Sequence, residues 1–258
     1  MNLSGSVTSS TLTNNIDLEI CANGYESAWI AQQGGATRVE LCNNLAEGGT
    51  TPSYAQISLT KKHLNIEVWP IIRPRGGDFL YNDLELNLMK EDIKICKSLN
   101  CDGIVIGLLR QDGTIDIEGC KILIDLASPL PVAFHRAFDM TNDMEQALED
   151  LISLGIVRVL SSGGETSALA GVDKLARLIE KAKGRIAVMP GAGINANNIK
   201  IIMKNTGAMN FHASAKDFVP SKMRYRNTST KMGTVTDEYQ HELTSLEQVK
   251  AIVEAITS

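Results

Sequence analysis

Two short apolar segments, Leu18-Glu19-Ile20-Cys21 and Val39-Glu40-Leu41-Cys42, each set a carboxylate and a thiol two residues apart. Side chains alternate between the two faces of a β-strand, so in each segment the Glu and the Cys share one face and the aliphatic residues take the other. A polar face where a core is expected marks a site. If the strands are parallel neighbours, about 4.8 Å apart, the two thiols come side by side at the strand ends. Thiolates are soft ligands that select Cu(I) or zinc over hard ions, so Cys21 and Cys42 are candidate metal ligands. Cu(I) would sit in a near-linear bridge, with the sulfurs about twice a 2.3 Å metal–sulfur bond apart. Structural zinc asks for two more ligands, and no C-x-x-C or Cys/His spacing offers them nearby. Cys96, Cys101 and Cys120 read as small buried hydrophobes.

Further along, Arg73 and Arg75 flank Pro74 and share one side of an extended chain. Two guanidiniums facing one way suit a carboxylate or phosphate; they also suit a structural ion cluster with Glu19 and Glu40. The run Phe134-His135-Arg136-Ala137-Phe138-Asp139 is the densest polar cluster. A His with a carboxylate nearby has the composition of an oriented general base. Glu19, Glu40, His135, Arg136 and Asp139 therefore form the candidate catalytic set. Ser161-Ser162-Gly163-Gly164 and Gly191-Ala192-Gly193 are turns whose amides can approach an anion, the second followed by a helix start. With His212, the residues Arg73, Arg75, Ser162, Gly163, Gly191 and Gly193 make up the candidate anion site.

Eight strand-like segments position these residues: 16–22, 38–43, 67–73, 103–109, 131–136, 158–162, 186–190 and 210–214. Helical spacing of apolar residues falls between them and after the last, at 26–33, 52–63, 84–99, 117–127, 144–154, 169–182, 197–204 and 246–256. Thr51 before Pro52 and Asp143 or Asn142 ahead of Met144 read as helix starts, and Gly34, Gly155, Gly184 and Gly207 as stops. Eight β/α units predict an α/β fold of the (β/α)8 TIM barrel type, ahead of a doubly wound sheet. Charged residues at strand C-termini favour the barrel, because barrel enzymes gather their chemistry there. Residues 216–242 form a polar stretch without clear periodicity and read as a functional or disordered loop.

The 258 residues include 43% hydrophobic and 21% charged, enough for one sizeable barrel domain over 16–258. Residues 1–15 are Ser/Thr-rich, with neither an apolar core nor a basic residue; they read as a disordered polar tail and support no secretory or transit signal. A net charge of -5 argues against nucleic acid and anionic membrane as partners. The odd cysteine count, without a disulfide framework, fits a reducing cytoplasm.

The segments LEICANGYESAWIAQQGGATRVELCNNLAEGGTTPS, PIIRPRGGDFLY, FHRAFDM, RVLSSGG, MPGAGI, FHASA and MRYRN, in this order, resemble the CutC family, named for copper homeostasis. The resemblance runs from about Ile16 to the C-terminus. It implies a cytoplasmic (β/α)8 barrel that forms a homo-oligomer and binds Cu(I) through Cys21 and Cys42. No organic cofactor is implied. The two arginines, two histidines and glycine turns at the mouth suggest a second function class, a barrel enzyme performing acid–base chemistry on a small anionic or phosphorylated metabolite.

Overall fold

Parallel strands and helices alternate along the computed structural model, which describes residues 16–232 and 237–258; the tail expected over 1–15 lies outside them. In chain order the elements are β1 (Asp17–Ala22), α1 (Tyr25–Gly34), β2 (Arg38–Leu41), α2 (Tyr54–His63), β3 (Glu67–Pro70), α3 (Asp83–Ser98), β4 (Ile104–Ile106), α4 (Ile117–Ala127), β5 (Val132–Phe134) and α5 (Met144–Ser153). They continue with β6 (Arg158–Ser161), α6 (Val172–Ala182), β7 (Ala187–Pro190), α7 (Ile199–Thr206), β8 (Asn210–Ala213), β9 (Lys216–Pro220), β10 (Gln240–Thr244) and α8 (Leu246–Thr257).

The first eight strands form two hydrogen-bonded parallel arcs, β3-β2-β1-β8 and β4-β5-β6-β7. The arcs meet at a parallel Ile71–Val105 bridge, reinforced by a 2.8 Å bond from the Ile72 amide to the Val105 carbonyl, and β7 packs beside β8 on the far side. The fold is a (β/α)8 barrel.

Parity divides its core in two. Leu18, Ile20, Val39, Leu41, Ile104, Ile106, Phe134 and Phe211 face outward into one large apolar cluster with the helices. The other parity faces the barrel interior, where Cys42, Trp69, Ile71, Val105 and Ala133 pack with Cys21. Parallel register pairs Cys21 with Glu40, and Glu19 with both Arg38 and His212.

Local signals hold with small shifts. Asp143 caps α5 by accepting from the amides of Glu145 and Gln146, while α2 starts two residues past Pro52 with Ser53 as its cap. The glycine stop of α1 is Gly35, in the left-handed region at φ 94°; Gly34 is the last helical residue. The expected loop over 216–242 needs correction, because both of its ends pair as the antiparallel hairpin β9–β10. Lys216 and Glu242 join the hairpin strands by a salt bridge, and Asn23 Nδ2 donates to the Glu242 carbonyl at 2.8 Å, tying the hairpin to the exit of β1.

Candidate functional site

Glu19 is a polar group deep in the barrel interior, 1% exposed. Its Oε2 accepts from Arg38 Nε at 2.6 Å and Arg158 Nη2 at 3.2 Å, and its Oε1 pairs with His212 Nδ1 at 2.8 Å. Burial alone would raise its pKa, but His212, Arg38 and Arg158 outweigh burial and hold the carboxyl well below the usual carboxylate range. The Arg158 guanidinium also lies 4.3 Å over the Trp69 ring. Arg38 and Arg158 were absent from the sequence-derived set. Arg38 carried a usable signal, since it shares strand parity with Glu40 and Cys42.

One layer nearer the mouth, Cys21 Sγ and Cys42 Sγ lie 3.7 Å apart, and with a Glu40 carboxylate oxygen they fall within 4.8 Å of one another. The hydrogen bond with Cys42 and the neighbouring His212 pull the Cys21 pKa down to about 5 despite burial. Cys42 is pushed up by the same pairing and by burial. The pairing thus favours the thiolate at Cys21 and the thiol at Cys42. Burial and the Cys21 charge raise Glu40 to about 8. His212 is raised: burial opposes its charge, and Cys21, Glu19 and Glu40 overcome that opposition. Its Nε2 lies 3.8 Å from Glu40 Oε2.

Above these groups opens a cavity of about 880 Å³, lined by Cys21, Glu40, Arg73, His135, Arg136, Asp139 and His212, with apolar walls from Ile71, Phe79, Leu109 and Leu160. Glu19 and Cys42 lie beneath it. Gly193 reaches its edge.

Several sequence expectations change here. Arg75 is absent from the lining, because its Nε bonds Glu85 Oε1, part of the α3 capping box, and its Nη2 bonds the Leu80 carbonyl. Arg73 does line the cavity, but its guanidinium clamps the loops after β2 and β3 through the carbonyls of Glu47, Gly49 and Gly77 at 2.7, 2.8 and 2.9 Å. Neither arginine pairs with Glu19 or Glu40 among the described residues; Arg38 and Arg158 take Glu19 instead.

Asp139 does not orient His135. It accepts from Arg136 Nε, Ser161 Oγ and the amides of Ser162 and Gly164, while Gly163 N–H donates to Ser161 Oγ. The expected anion cradle is therefore occupied from within the chain, the Ser162 amide by the Asp139 carboxylate and the Gly163 amide by the Ser161 hydroxyl. The Gly191 amide is likewise taken, by the Ser161 carbonyl at 2.9 Å. Leu160 Cδ1 lies 2.4 Å from where a Gly191 Cβ would stand, so close packing is the reason for that glycine.

His135 Nδ1 accepts the Ala137 N–H at 3.1 Å, which places the ring proton on Nε2. Burial and nearby Arg73 depress its pKa to about 3. A neutral imidazole with its acceptor nitrogen occupied is a hydrogen-bond donor, and not the general base expected from sequence.

The parallel barrel, with a thiol pair and a polar cavity at the C-terminal ends of its strands, defines a barrel protein whose site is built at the mouth. The chain matches the CutC family model over residues 16–217 and belongs to the CutC family. A family protein CutC of Chromobacterium violaceum is 51% identical over 93% of this chain and 97% of its own length. The human copper homeostasis protein cutC homolog is 48% identical over 93% of this chain and 88% of its own. The crystal structure of a CutC from Streptococcus agalactiae superposes with a TM-score of 0.74 at 37% identity, covering 77% of this chain and 98% of that one. No helix among the described residues is long and apolar enough to cross a membrane.

Proposed function

We propose that this protein binds Cu(I) through Cys21 and Cys42 and serves copper homeostasis, in the cytoplasm and as a homo-oligomer. The observation that carries this reading is the 3.7 Å approach of two thiols at the floor of an open cavity. Two adjacent thiols, one of them held toward its thiolate form, are the soft donor set that Cu(I) prefers. The near-linear bridge expected from sequence needs sulfurs about 4.6 Å apart; at the observed spacing a bond of about 2.3 Å subtends about 107°, which is bent and leaves room for further donors. The curated human relative, named as a copper homeostasis protein homolog, agrees in sense. Competition against a chromogenic Cu(I) chelator under reducing conditions tests the reading. Tight binding by the native chain and its loss in the Cys21→Ala, Cys42→Ala double variant are expected; undiminished affinity in that variant would end it.

The cavity supports a second reading, a barrel enzyme acting on a small anionic metabolite. Its volume, about 880 Å³, exceeds what one ion requires and suits an organic molecule. Arg73, 3% exposed, has no carboxylate within 4.0 Å among the described residues, leaving its charge to carbonyl oxygens and whatever enters the cavity. His135 would polarise an oxygen of that molecule, and Glu40, with a pKa near 8, would exchange a proton with it. A turnover screen of small carboxylates and phosphate esters, repeated with Glu40→Gln, checks this. A fall of roughly a hundredfold supports the role of Glu40, and full activity removes it.

A further inference from the structure

His212 borders the three donors Cys21, Glu40 and Cys42, which lie within 4.8 Å of one another. Its Nδ1 is committed to Glu19 at 2.8 Å, so Nε2 is the nitrogen left for other work, and it faces Glu40 Oε2 at 3.8 Å. A ring whose far nitrogen is held by a buried carboxylate is the usual arrangement of a metal-binding histidine, because the carboxylate fixes the tautomer and raises the basicity of the free nitrogen. The other face of the site is the thiol pair at 3.7 Å. Cys21 neighbours both Glu40 and His212, and Cys42 neighbours Glu40.

These spacings resemble two opposite edges of a tetrahedron. With metal–sulfur bonds of about 2.3 Å, a regular tetrahedron has a sulfur–sulfur edge of about 3.8 Å. With nitrogen and oxygen bonds of about 2.0 to 2.1 Å, the opposite edge is about 3.3 Å. The first edge is already in place and the second closes by about half an ångström; the His212 ring must also swing in to complete the set, because only Cys21, Glu40 and Cys42 already lie within 4.8 Å of one another. The donors are distributed over β1, β2 with its exit, and β8, and His212 lies 193 positions after Glu19, the carboxylate that holds it, which is why no local spacing betrays the set.

We propose that Cys21, Cys42, Glu40 and His212 form a four-ligand tetrahedral site that holds zinc as well as Cu(I). The proposal rests on the metal reading of the thiol pair and extends it to ligand number and metal class. Two thiolates with an imidazole and a carboxylate saturate a zinc ion, whereas two thiolates alone leave it open. His212 is then a ligand, in place of the anion-binding role read from the sequence.

The test is zinc K-edge X-ray absorption on the reduced wild-type protein loaded with one equivalent of zinc, together with zinc affinity. Expected are two sulfur scatterers near about 2.3 Å, two nitrogen or oxygen scatterers near about 2.0 to 2.1 Å, and the outer-shell scattering of one imidazole. His212→Gln should remove the imidazole signal and weaken zinc binding by about tenfold or more. A wild-type zinc shell without imidazole, no zinc binding, or an unchanged zinc affinity in His212→Gln would overturn the proposal. The wild-type spectrum needs no variant, so it decides even if His212→Gln does not fold. Chelator competition with Cu(I) on the same preparation separates the two readings: Cu(I) bound without the zinc signature removes the fourth ligand alone, and Cu(I) affinity independent of both cysteines removes the thiol site itself.

Discussion

His135 carries a neutral imidazole in the folded protein, and its neutrality sets an acid limit on stability. The folded pKa is about 3 against an ordinary 6.5, so between those values the unfolded chain takes up a proton that the folded chain refuses. Its contribution to stability is fully present above pH 6.5 and is lost as the pH falls toward 3, at up to about 1.4 kcal/mol per pH unit. Going from pH 7 to pH 5, this one group removes about 2 kcal/mol. His135→Asn keeps a side-chain acceptor for the Ala137 amide and has nothing to titrate. Urea denaturation at the two pH values should show a smaller acid loss in that variant; an equal loss would mean that His135 is not the neutral group described. Glu19 is the complementary case. Glu19→Ala strands Arg38, Arg158 and His212 in the barrel interior and should destabilise by about 3 to 5 kcal/mol in the same assay, as expected for breaking a buried ion cluster. A change below about 1 kcal/mol would show that water already reaches the cluster.

At the scale of elements, α1 and α8 close the ends of the chain against each other. A Cβ on Gly34 would come within 2.4 Å of Val249 Cγ1, so Gly34→Ala should overpack that contact at about 1 to 3 kcal/mol. Adding Val249→Ala should recover part of the loss, a positive coupling in a thermal or urea double-mutant cycle; strict additivity would deny the contact. The element order was legible because strand-like apolar segments alternate with helically spaced ones, and several helices carry caps such as Asp143. The hairpin β9–β10 was not. Its strands have few buried positions, with Lys216, Asp217, Phe218 and His241 all exposed, so no alternating pattern marks them. Its register comes from cross-strand pairing and from Asn23 and Ser27 on the distant β1–α1 segment.

For the whole molecule, strand parity near the N-terminus was enough to bring Cys21, Glu40 and Cys42 together, because parallel neighbours in register convert a sequence repeat into a spatial cluster. The assignments that changed depend on partners far apart in sequence. Asp139 looked like the partner of His135 four residues earlier, yet it binds the β6 exit. Arg75 looked like the twin of Arg73, yet a capping-box glutamate holds it outside the mouth. His212 finds Glu19 only when β8 closes on β1. Sequence spacing reports faces and turns; it does not report which buried charge answers which.

The proposed copper site is the thiol pair and no other cysteine. Anaerobic titration with Cu(I), followed by the ultraviolet thiolate-to-copper absorption, tests it in three proteins: the native chain, Cys42→Ala, and a Cys96→Ala, Cys101→Ala, Cys120→Ala triple variant. Saturation at one Cu(I) per chain is expected in the native and triple-variant proteins, with loss of the tight step in Cys42→Ala. A tight step that survives in Cys42→Ala and vanishes in the triple variant would contradict it.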